Sequence, residues 1–301
     1  MEWLPPGWSS AFSKTRGKIY YFKGEHTQWN LPTWDDEIAA SYAHQTPDPT
    51  IKPFRSLQNY IKNCILYYYI FSNKNIHSIL DIACGKGGDV HKIPTTYKYL
   101  GIDICAESLS EAKKRHPTRD FLQASFHSKI NIHNYESAMC MFALHYGGDM
   151  FLQTLKNIRQ TLQKDAFFVF VVLDEEKIKK YPEGYGPLKI LKIETRPKQI
   201  YRASQRIFIQ LAGVADSTPE FILDKELIQE TASVAGFEIV AHQSTLQTLK
   251  EIGLGEWMDP TTEQYKIRTH CEELMKLYEK NWDGVVWSFA DMYKVVVLKA
   301  N

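Results

Sequence analysis

The sequence shows little that would send the chain out of a cell or into a membrane. Its first residues, MEWLPPGWSS, have neither the basic start nor the apolar run of a signal peptide. No apolar stretch approaches the ~18 residues that a membrane span needs. The longest one, CILYYYIF at 64–71, predicts the end of a core helix. We therefore expect no secretion signal and no association with a membrane.

Cysteine is scarce, and its spacing is not typical of a disulfide framework or of a zinc site. The five cysteines are odd in number, widely spaced and without a CxxC pair. This pattern favours reduced core residues in a reducing compartment over a disulfide framework or a zinc site. We expect no bound metal. The residues concerned are Cys64, Cys84, Cys105, Cys140 and Cys271.

Charge of one sign is not in excess either. The net charge is +1, so a strong attraction of the whole surface to nucleic acid is not expected. Any contact with nucleic acid must be local. The 301 residues, 44% of them hydrophobic, suffice for one large core or for one core with a small module.

Residues 4–32 differ in composition from the rest and predict such a module. Aromatic and β-branched residues alternate between turn residues, which predicts three short antiparallel strands. The segment resembles a WW domain in LPPGW at 4–8, GKIYY at 17–21, TQW at 27–29 and Pro32. The stretch from Tyr20 to Trp29 is shorter than is usual in that family, and Lys23-Gly24 replace an asparagine at the second turn.

The WW resemblance implies a peptide-binding role. Trp8, Tyr21 and Pro32 would form the small core, and Tyr20 and Trp29 would form an aromatic clamp for a proline-rich peptide. The first turn resembles that of the WW domain in phosphoserine-proline-directed prolyl isomerases. Its basic residues suit a phosphopeptide, with a solvated basic turn as the alternative. The turn carries Ser13, Lys14, Arg16 and Lys18.

From residue 53 onward, strand-like and helical segments alternate, which predicts βαβ units and an α/β fold with a Rossmann-like parallel sheet. A helix is expected from 54. We place strands near 77–83, 98–104, 119–124, 136–143 and 166–173, and helices near 87–93, 106–116 and 150–163. Residues 225–243 predict a helix, a glycine turn and a strand, and 291–300 a final strand. We expect residues 175–215 to be an insertion over the site.

The glycine-rich loop ACGKGG at 83–88 follows the first strand of this region. It is neither GxGxxG nor GxxxxGK[ST], so it indicates neither a pyrophosphate loop nor a P-loop. Asp103 ends the next predicted strand, where an acid suits the two hydroxyls of a ribose. A ribose acid without a pyrophosphate loop points to S-adenosylmethionine. The alternative is that Asp103 only caps the following helix.

Several further segments, in order, resemble mRNA cap guanine-N7 methyltransferases. They are the helix before the first strand, KGGD at 86–89, GIDI at 101–104, FALHY at 142–146, TPEFI at 218–222 and MYKVVVLKA at 292–300. The resemblance covers roughly residues 38–300 and implies a class I S-adenosylmethionine-dependent fold. We expect a WW domain at 1–35, a linker with a short helical piece at 36–52 and the methyltransferase domain at 53–301.

The resemblance also implies site residues. Those for the cofactor are Lys62 at the methionine carboxylate, the backbone of Ala83 and Gly85, Asp103 at the ribose, Ser125 at the adenine position, and Met141 and Tyr146 at the methionine end. Those for the cap are Lys86, Lys92 and Arg115 at the phosphates and His145, Glu220 and Tyr293 at the base. His145, Tyr146 and Glu220 would position the substrate, with no general base. Ala83, Ser125, Met141 and Gln58 depart from the family's usual Gly, Asp, Gln and Asn.

Each of these assignments has a structural alternative. His145 and Tyr293 could be core residues, Glu220 an exposed carboxylate at a helix start, and the three cations ordinary surface charge.

The expected reaction is transfer of a methyl group from S-adenosylmethionine to N7 of the guanosine cap. The expected partners are the 5′ end of capped mRNA, a proline-rich and phosphorylated peptide such as the tail of RNA polymerase II, and other capping enzymes. The expected location is nuclear, or cytoplasmic in a virus. One alternative is a degenerate scaffold or stimulatory subunit that acts through the WW domain, and another is a different methyl acceptor. No [DNS]PP[YFW] segment occurs, which excludes an N6-adenine methyltransferase.

Overall fold

The structure is a computed structural model that describes residues 3–43, 48–211, 215–252 and 285–301. Of the five cysteines, Cys271 lies outside the described residues. The other four are free and buried, as predicted for core residues. Within the described ranges, no helix is long and apolar enough to cross a membrane.

The strands form three sheets. They are β1 (Ser9–Ser13), β2 (Lys18–Lys23), β3 (His26–Gln28), β4 (Ser78–Ile82), β5 (Lys98–Asp103), β6 (Asp120–Gln123), β7 (Tyr135–Met141), β8 (Leu162–Leu173), β9 (Gly184–Tyr185), β10 (Leu188–Thr195), β11 (Gln205–Leu211), β12 (Ala215–Phe221), β13 (Phe237–Ser244) and β14 (Tyr293–Ala300).

The α-helices of the described residues lie between these strands. They are α1 (Asp35–Ala43), α2 (Lys52–Leu66), α3 (Ala106–Arg115), α4 (Phe151–Thr161), α5 (Glu175–Lys180), α6 (Lys225–Ala235), α7 (Thr245–Ile252) and α8 (Val285–Ala290). Short 3₁₀ turns cover Pro49–Ile51, Val90–Lys92 and Leu144–Met150, and a π-turn covers Tyr67–Phe71.

The largest sheet has seven strands in the order β6-β5-β4-β7-β8-β14-β13. The strands from β6 to β8 run parallel, and β14 is inserted antiparallel between β8 and β13. This arrangement confirms the predicted α/β fold of the class I methyltransferase type. Because the five parallel strands share one direction, their carboxyl ends form a common edge where ligands bind in such sheets.

Helices cover both faces of this sheet, because neighbouring residues of a strand point to opposite faces. Ile79 joins the core on one face, whereas the adjacent Leu80 joins the core on the other. In β8, Val169 and Phe168 divide in the same way. The helix α2 packs on the core that contains Ile79, through apolar residues at helical spacing. These residues are Phe54, Leu57, Tyr60, Ile61, Cys64 and Ile65.

The predicted insertion at 175–215 contains α5 and the strands β9, β10 and β11. These strands pair with β12 in an antiparallel sheet of order β12-β11-β10-β9. One face of this sheet packs on the core through Ile207 and Ile209, and Leu191 and Ile193 are exposed on β10. Ile207 lies directly across from Glu220 on β12, so this sheet positions that carboxylate.

The N-terminal segment forms the predicted three-stranded antiparallel sheet, in the order β1-β2-β3. Its flanking tryptophans lie against the antiparallel sheet of residues 184–221. The Trp3 ring lies 4.1 Å from the Arg196 guanidinium and 5.0 Å from that of Arg206. The Trp34 indole donates a hydrogen bond to the Trp3 carbonyl at 3.3 Å. The contacts of these two flanking tryptophans therefore hold the small sheet against the rest of the protein.

Part of the segment expected to be a linker is a helix that packs against the rest of the protein. Its helical piece, α1, buries Ile38 to 5% exposure in the core that also contains Leu80 and Ile102. The Tyr42 hydroxyl lies 2.8 Å from that of Tyr146. The short helical piece expected in this segment is present as α1, and it packs against β12 and α3. Residues 44–47 of this segment lie outside the described residues.

The helix predicted near 87–93 is also wrong. Only a 3₁₀ turn forms at Val90–Lys92. Gly87 and Gly88 disfavour a helix before the turn, and Pro94 holds Ile93 in an extended conformation after it. The other predicted strands and helices in the parallel part of the sheet occur within a few residues of their expected ends, with β8 beginning earlier.

Candidate active site

A cavity of about 230 Å³ opens at the carboxyl ends of β4, β5 and β7. Ala83 and Gly85 line it from the loop after β4, Asp103 from the end of β5, and Met141 from the end of β7. Much of the remaining wall is apolar and comprises Ile38, Ala39, Ile104, Ala124, Phe126, Phe142 and Ala143. We call this the first cavity. With Tyr146, it brings together five of the residues predicted to bind the cofactor.

The Asp103 carboxylate forms hydrogen bonds with two backbone segments at the carboxyl ends of β4 and β5. It accepts hydrogen bonds from the N–H groups of Gly85 and Cys105, both at 2.8 Å. Burial raises the pKa of this carboxyl, although the backbone donors counteract part of the effect. Asp103 is therefore not the cap of α3, whose N-cap is Cys105, and its carboxylate fixes the glycine loop.

The glycine loop follows a backbone path that favours residues without a side chain. Gly85 has φ +52°, and Ala83 has φ +58° in the same left-handed region. A Cβ added at Gly85 would meet no atom within 4 Å, because it would enter open space. The loop thus leaves room for a ligand directly beside the Asp103 carboxylate.

Three predicted substrate-positioning residues meet beside the first cavity. Tyr146 lines the cavity, and its hydroxyl donates to Glu220 Oε1 at 3.4 Å. His145 Nε2 lies 3.3 Å from Glu220 Oε2, and its ring packs edge to face with that of Tyr146, with 4.3 Å between the ring centroids. His145 and Glu220 are only 2% and 5% exposed, so Glu220 is a buried residue of β12 and not an exposed carboxylate at a helix start.

The hydroxyls of this cluster remain protonated near neutral pH. Burial raises the pKa of Tyr42 and, together with the neighbouring Tyr42 and Glu220, that of Tyr146. Burial also raises the pKa of Tyr293, whose hydroxyl hydrogen-bonds with the side chain of Gln58. The Tyr293 ring packs edge to face on Phe142, 4.9 Å away. Tyr293 therefore is a core aromatic residue that lies near this cluster.

A second cavity, of about 470 Å³, adjoins the first, and Tyr42, Gly85 and Ser108 line both. We call it the second cavity. Lys86 and Arg115 line it, and Arg115 Nη1 donates to the Lys86 carbonyl at 2.9 Å. Lys86 also pairs with Glu111 at 3.1 Å. Two of the three cations that were predicted to face the cap phosphates therefore lie together.

Sequence reasoning missed a third cation in the second cavity, Arg55 on α2. It precedes Gln58 by one helical turn, and Gln58 also lines this cavity. The spacing to Gln58 and Lys62 was the available signal, since residues three and seven positions away share a helix face.

The prediction that Lys92 faces the cap is wrong. Its side chain has no exposed surface, and its ammonium bonds to Asp89 at 2.6 Å and to Asn59 at 3.1 Å. Lys62 pairs with the same Asp89 carboxylate at 2.7 Å. Burial opposes ionisation of Asp89, but the two ammonium groups outweigh it and lower its pKa. Lys92 is thus neutralised inside the fold.

The structure does not bring Ser125 into the lining of the first cavity, whereas its neighbours Ala124 and Phe126 do line it. The Ser125 hydroxyl instead accepts a hydrogen bond from the backbone N–H of His127 at 3.1 Å. A serine hydroxyl often closes such a local turn, and here it is used for that purpose.

In the small N-terminal sheet, the Tyr20 and Trp29 rings lie 5.9 Å apart at 62°. Trp29 is 45% exposed, and the Lys18 ammonium lies 4.6 Å above its ring. The Ser13 hydroxyl accepts from the backbone N–H of Arg16 at 3.3 Å, and Lys14 next to it is exposed. Of the predicted small core, Tyr21 and Pro32 are buried, and Trp8 is half-buried against His26.

In the part of the chain that the structure describes, no group of three or more His, Cys, Asp or Glu side chains is arranged to hold a metal ion.

Residues 36–173 match the family model of the mRNA (guanine-N(7))-methyltransferase domain. The chain is 21% identical to an mRNA cap guanine-N(7) methyltransferase of Cryptococcus neoformans, over 65% of this chain and 32% of that protein. It is 24% identical to the Saccharomyces cerevisiae protein of the same name, over 68% of this chain and 55% of that protein. The chain thus spans about a third of the first of these curated relatives and about half of the second.

The fold is similar to that of the PH0226 protein from Pyrococcus horikoshii, with a TM-score of 0.51, 13% identity and coverage of 82% of this chain and 91% of that one. The matched segment contains α1 without its first residue and the strands from β4 to β8, and it therefore includes the lining of the first cavity except Asp35. The sequence motifs predicted this similarity to the mRNA (guanine-N(7))-methyltransferase domain, and the family match at residues 36–173 bears it out.

Proposed function

We propose that this protein transfers the methyl group of S-adenosylmethionine to N7 of the guanosine cap of mRNA. The observation that carries the proposal is the pair of adjoining cavities, which share a wall at Tyr42 and Gly85. The first cavity contains an acid suited to a ribose, and the second contains three cations. A cofactor and a phosphate-bearing substrate therefore have neighbouring places in a domain of the matching family.

The first cavity fits S-adenosylmethionine by the chemistry of its walls. Asp103 offers carboxylate oxygens to ribose hydroxyls, and the space beside Gly85 is open to a ligand. Apolar side chains such as Ile104 and Phe126 suit the face of an adenine. Met141 and Tyr146 line the wall nearest the Glu220 cluster. When bound, the cofactor supplies an electrophilic methyl group on a sulfonium.

The residues beside the first cavity need only position the guanine that accepts the methyl group. Guanine N7 carries a lone pair and no proton, so its methylation requires no general base. Accurate placement of two reacting atoms supplies roughly 7–11 kcal/mol of a barrier. A rigid cluster such as Tyr146, His145 and Glu220 is suited to this work, because burial fixes its side chains.

Glu220 is the residue that we assign to recognition of the guanine. A carboxylate accepts two hydrogen bonds side by side, which matches the N1–H and amino donors on one edge of guanine. Its negative charge also stabilises the cation that forms as N7 is methylated. Lys86, Arg55 and Arg115 supply positive charge for the phosphates of the cap bridge.

We further propose that the N-terminal sheet is a WW domain that recruits the enzyme to a proline-rich, phosphorylated peptide such as the tail of RNA polymerase II. The half-buried Tyr20 ring and the exposed Trp29 ring would form the surface for an extended proline-rich chain. Lys14 and Arg16 in the first turn supply cationic donors for a phosphate. Recruitment raises the local concentration of enzyme at the emerging transcript.

Two measurements test the proposed activity against its alternatives. Calorimetry with S-adenosylhomocysteine tests the first cavity, and we expect saturable binding with a 1:1 ratio. Transfer of labelled methyl to RNA that begins with GpppG tests the whole reaction. Absence of S-adenosylhomocysteine binding would support a scaffold or stimulatory subunit. Binding without transfer to the cap, but with labelling of another acceptor, would support a different methyltransferase.

A further inference from the structure

We propose that Asp35 replaces the missing adenine-binding carboxylate and accepts a hydrogen bond from the exocyclic amino group of the cofactor's adenine. This inference rests on the proposed binding of S-adenosylmethionine in the first cavity. It assigns to α1 a direct part in cofactor recognition, although Asp35 lies far from Asp103 in the sequence and just outside the family match at 36–173.

The position of Asp35 in the cavity carries the assignment. Among the described residues that line the first cavity, Asp35 and Asp103 are the carboxylates. Asp103 ends β5, and the wall beyond it towards β6 consists of Ile104, Ala124 and Phe126. This apolar wall provides a flat surface for a purine but no side-chain acceptor for its amino group.

Asp35 lies at this same β6 end of the cavity. Its Oδ1 atom is 3.6 Å from Nε2 of His127, the residue that follows Phe126. Ser125, which stands at the family's adenine-binding position, has its hydroxyl engaged by the His127 backbone N–H. The acceptor that the β6 loop lacks is therefore present on α1, directly beside the loop.

Neighbouring contacts hold Asp35 in place. His127 is buried, and its Nδ1 lies 3.0 Å from the Thr154 hydroxyl, so that Nε2 faces the carboxylate. Trp34, the preceding residue, is fixed by the hydrogen bond from its indole to Trp3. The Asp35 side chain is 21% exposed, which leaves surface for a ligand.

The test measures which base the first cavity prefers. Wild-type protein is titrated by calorimetry with S-adenosylhomocysteine and with S-inosylhomocysteine, in which a carbonyl oxygen replaces the amino group. We expect the wild type to prefer the adenine compound by about tenfold or more, because a carboxylate repels a carbonyl oxygen.

The variant Asp35→Asn should bind S-adenosylhomocysteine about tenfold to a hundredfold more weakly, through loss of a charged acceptor. It should also lose most of the preference, because its amide can donate to the inosine carbonyl. The control is Asp36→Asn, which removes the same charge from an exposed neighbouring position in the first turn of α1. It should bind both compounds as the wild type does.

The outcomes are distinguishable. Equal wild-type affinity for the two compounds overturns the role of Asp35 without any variant, even if Asp35→Asn fails to fold. Unchanged affinity and preference in a folded Asp35→Asn protein also overturn it, while the proposed function stands. Failure of the wild type to bind S-adenosylhomocysteine overturns the proposed function and this inference together.

Discussion

The backbone N–H of Gly85 donates to the carboxylate of Asp103 at 2.8 Å, which joins the loop after β4 to the end of β5. The carboxylate therefore orders the glycine loop and, in the proposed complex, also receives the ribose. Removing this carboxylate should therefore affect both the order of the glycine loop and the binding of the ribose.

Cofactor affinity should depend on Asp103 and on pH. Because burial raises the pKa of this carboxyl, it takes up a proton at a higher pH than the ~3.9 of a free aspartate. Affinity for S-adenosylhomocysteine should fall as the pH decreases through that raised pKa, since the neutral acid is a poorer acceptor. Asp103→Ala should weaken binding about tenfold to a hundredfold at neutral pH. Calorimetry across a pH series checks both, and a flat wild-type profile down to pH 4 would count against the assigned role.

Cap methylation should depend on the charge of Glu220. Glu220→Gln preserves the size of the side chain but removes one acceptor and the negative charge, so kcat/KM for capped RNA should fall about a hundredfold. Glu226→Gln is the matched control, since Glu226 is an exposed partner of Lys198 at the start of α6. Steady-state kinetics decide the matter, and equal kcat/KM values for the two variants would refute the guanine assignment.

The buried pair of lysines on Asp89 should make this aspartate important for stability. Asp89→Asn leaves Lys62 and Lys92 with no neutralising charge at that position, which should lower the free energy of unfolding by about 3–5 kcal/mol. Glu176→Gln removes the partner of the exposed Lys179 and should cost less than about 1 kcal/mol. Urea denaturation measures both values.

The lowered pKa of Asp89 determines how its contribution to stability changes with pH. Its folded pKa is lowered, so its contribution to stability is present above the unfolded pKa of about 3.9 and is lost as the pH falls below it towards the folded value. Asp89→Asn should lack this part of the acid sensitivity. An identical acid dependence in the two proteins would show that the Asp89 cluster contributes nothing to it.

Gly148 should be intolerant of a side chain, whereas Gly147 should not. Gly148 has φ +38°, and an added Cβ would lie 2.6 Å from the Phe221 ring. Gly148→Ala should therefore destabilise the fold by about 1–3 kcal/mol and displace Phe221, the neighbour of Glu220. A Cβ at Gly147 would make ordinary contacts of 3.5 Å or more. Thermal denaturation distinguishes the two, with no stability difference between Gly147→Ala and Gly148→Ala as the contrary result.

Peptide binding should be separable from catalysis. Trp29→Ala removes one ring of the proposed clamp and should abolish measurable binding of a phosphorylated Ser-Pro peptide. Methyl transfer to a short capped RNA should be unchanged, because Trp29 is not among the residues lining either cavity. Fluorescence anisotropy with the phosphorylated and unphosphorylated peptide checks the first expectation. Retained binding by Trp29→Ala would place the peptide elsewhere.

The sequence sufficed for those parts of the site that follow directly from strand order. The loop at 83–88, Asp103 and FALHY each follow a parallel strand, so the topology alone brings them to one edge of the sheet. The alternation of strand and helix also predicted the large sheet, because buried parallel strands form continuous apolar runs.

What the sequence did not predict depends on tertiary contacts. Lys92 follows the glycine loop as a surface cation would, but Asn59 and Asp89 enclose its ammonium from both sides. Arg55 and Asp35 precede the sheet in the chain, and only the packing of α2 and α1 against it brings them to the cavities. No local pattern encodes such long-range contacts.

The most direct test of the central claim is the identity of the methylated atom. Wild-type protein is incubated with labelled S-adenosylmethionine and RNA beginning with GpppG, the RNA is digested with nuclease, and the cap is separated by chromatography. We predict that the label co-migrates with m7GpppG, and that the Glu226→Gln control gives the same product while Glu220→Gln gives little. Label at a ribose or an internal base, with an unmodified cap, would contradict the account.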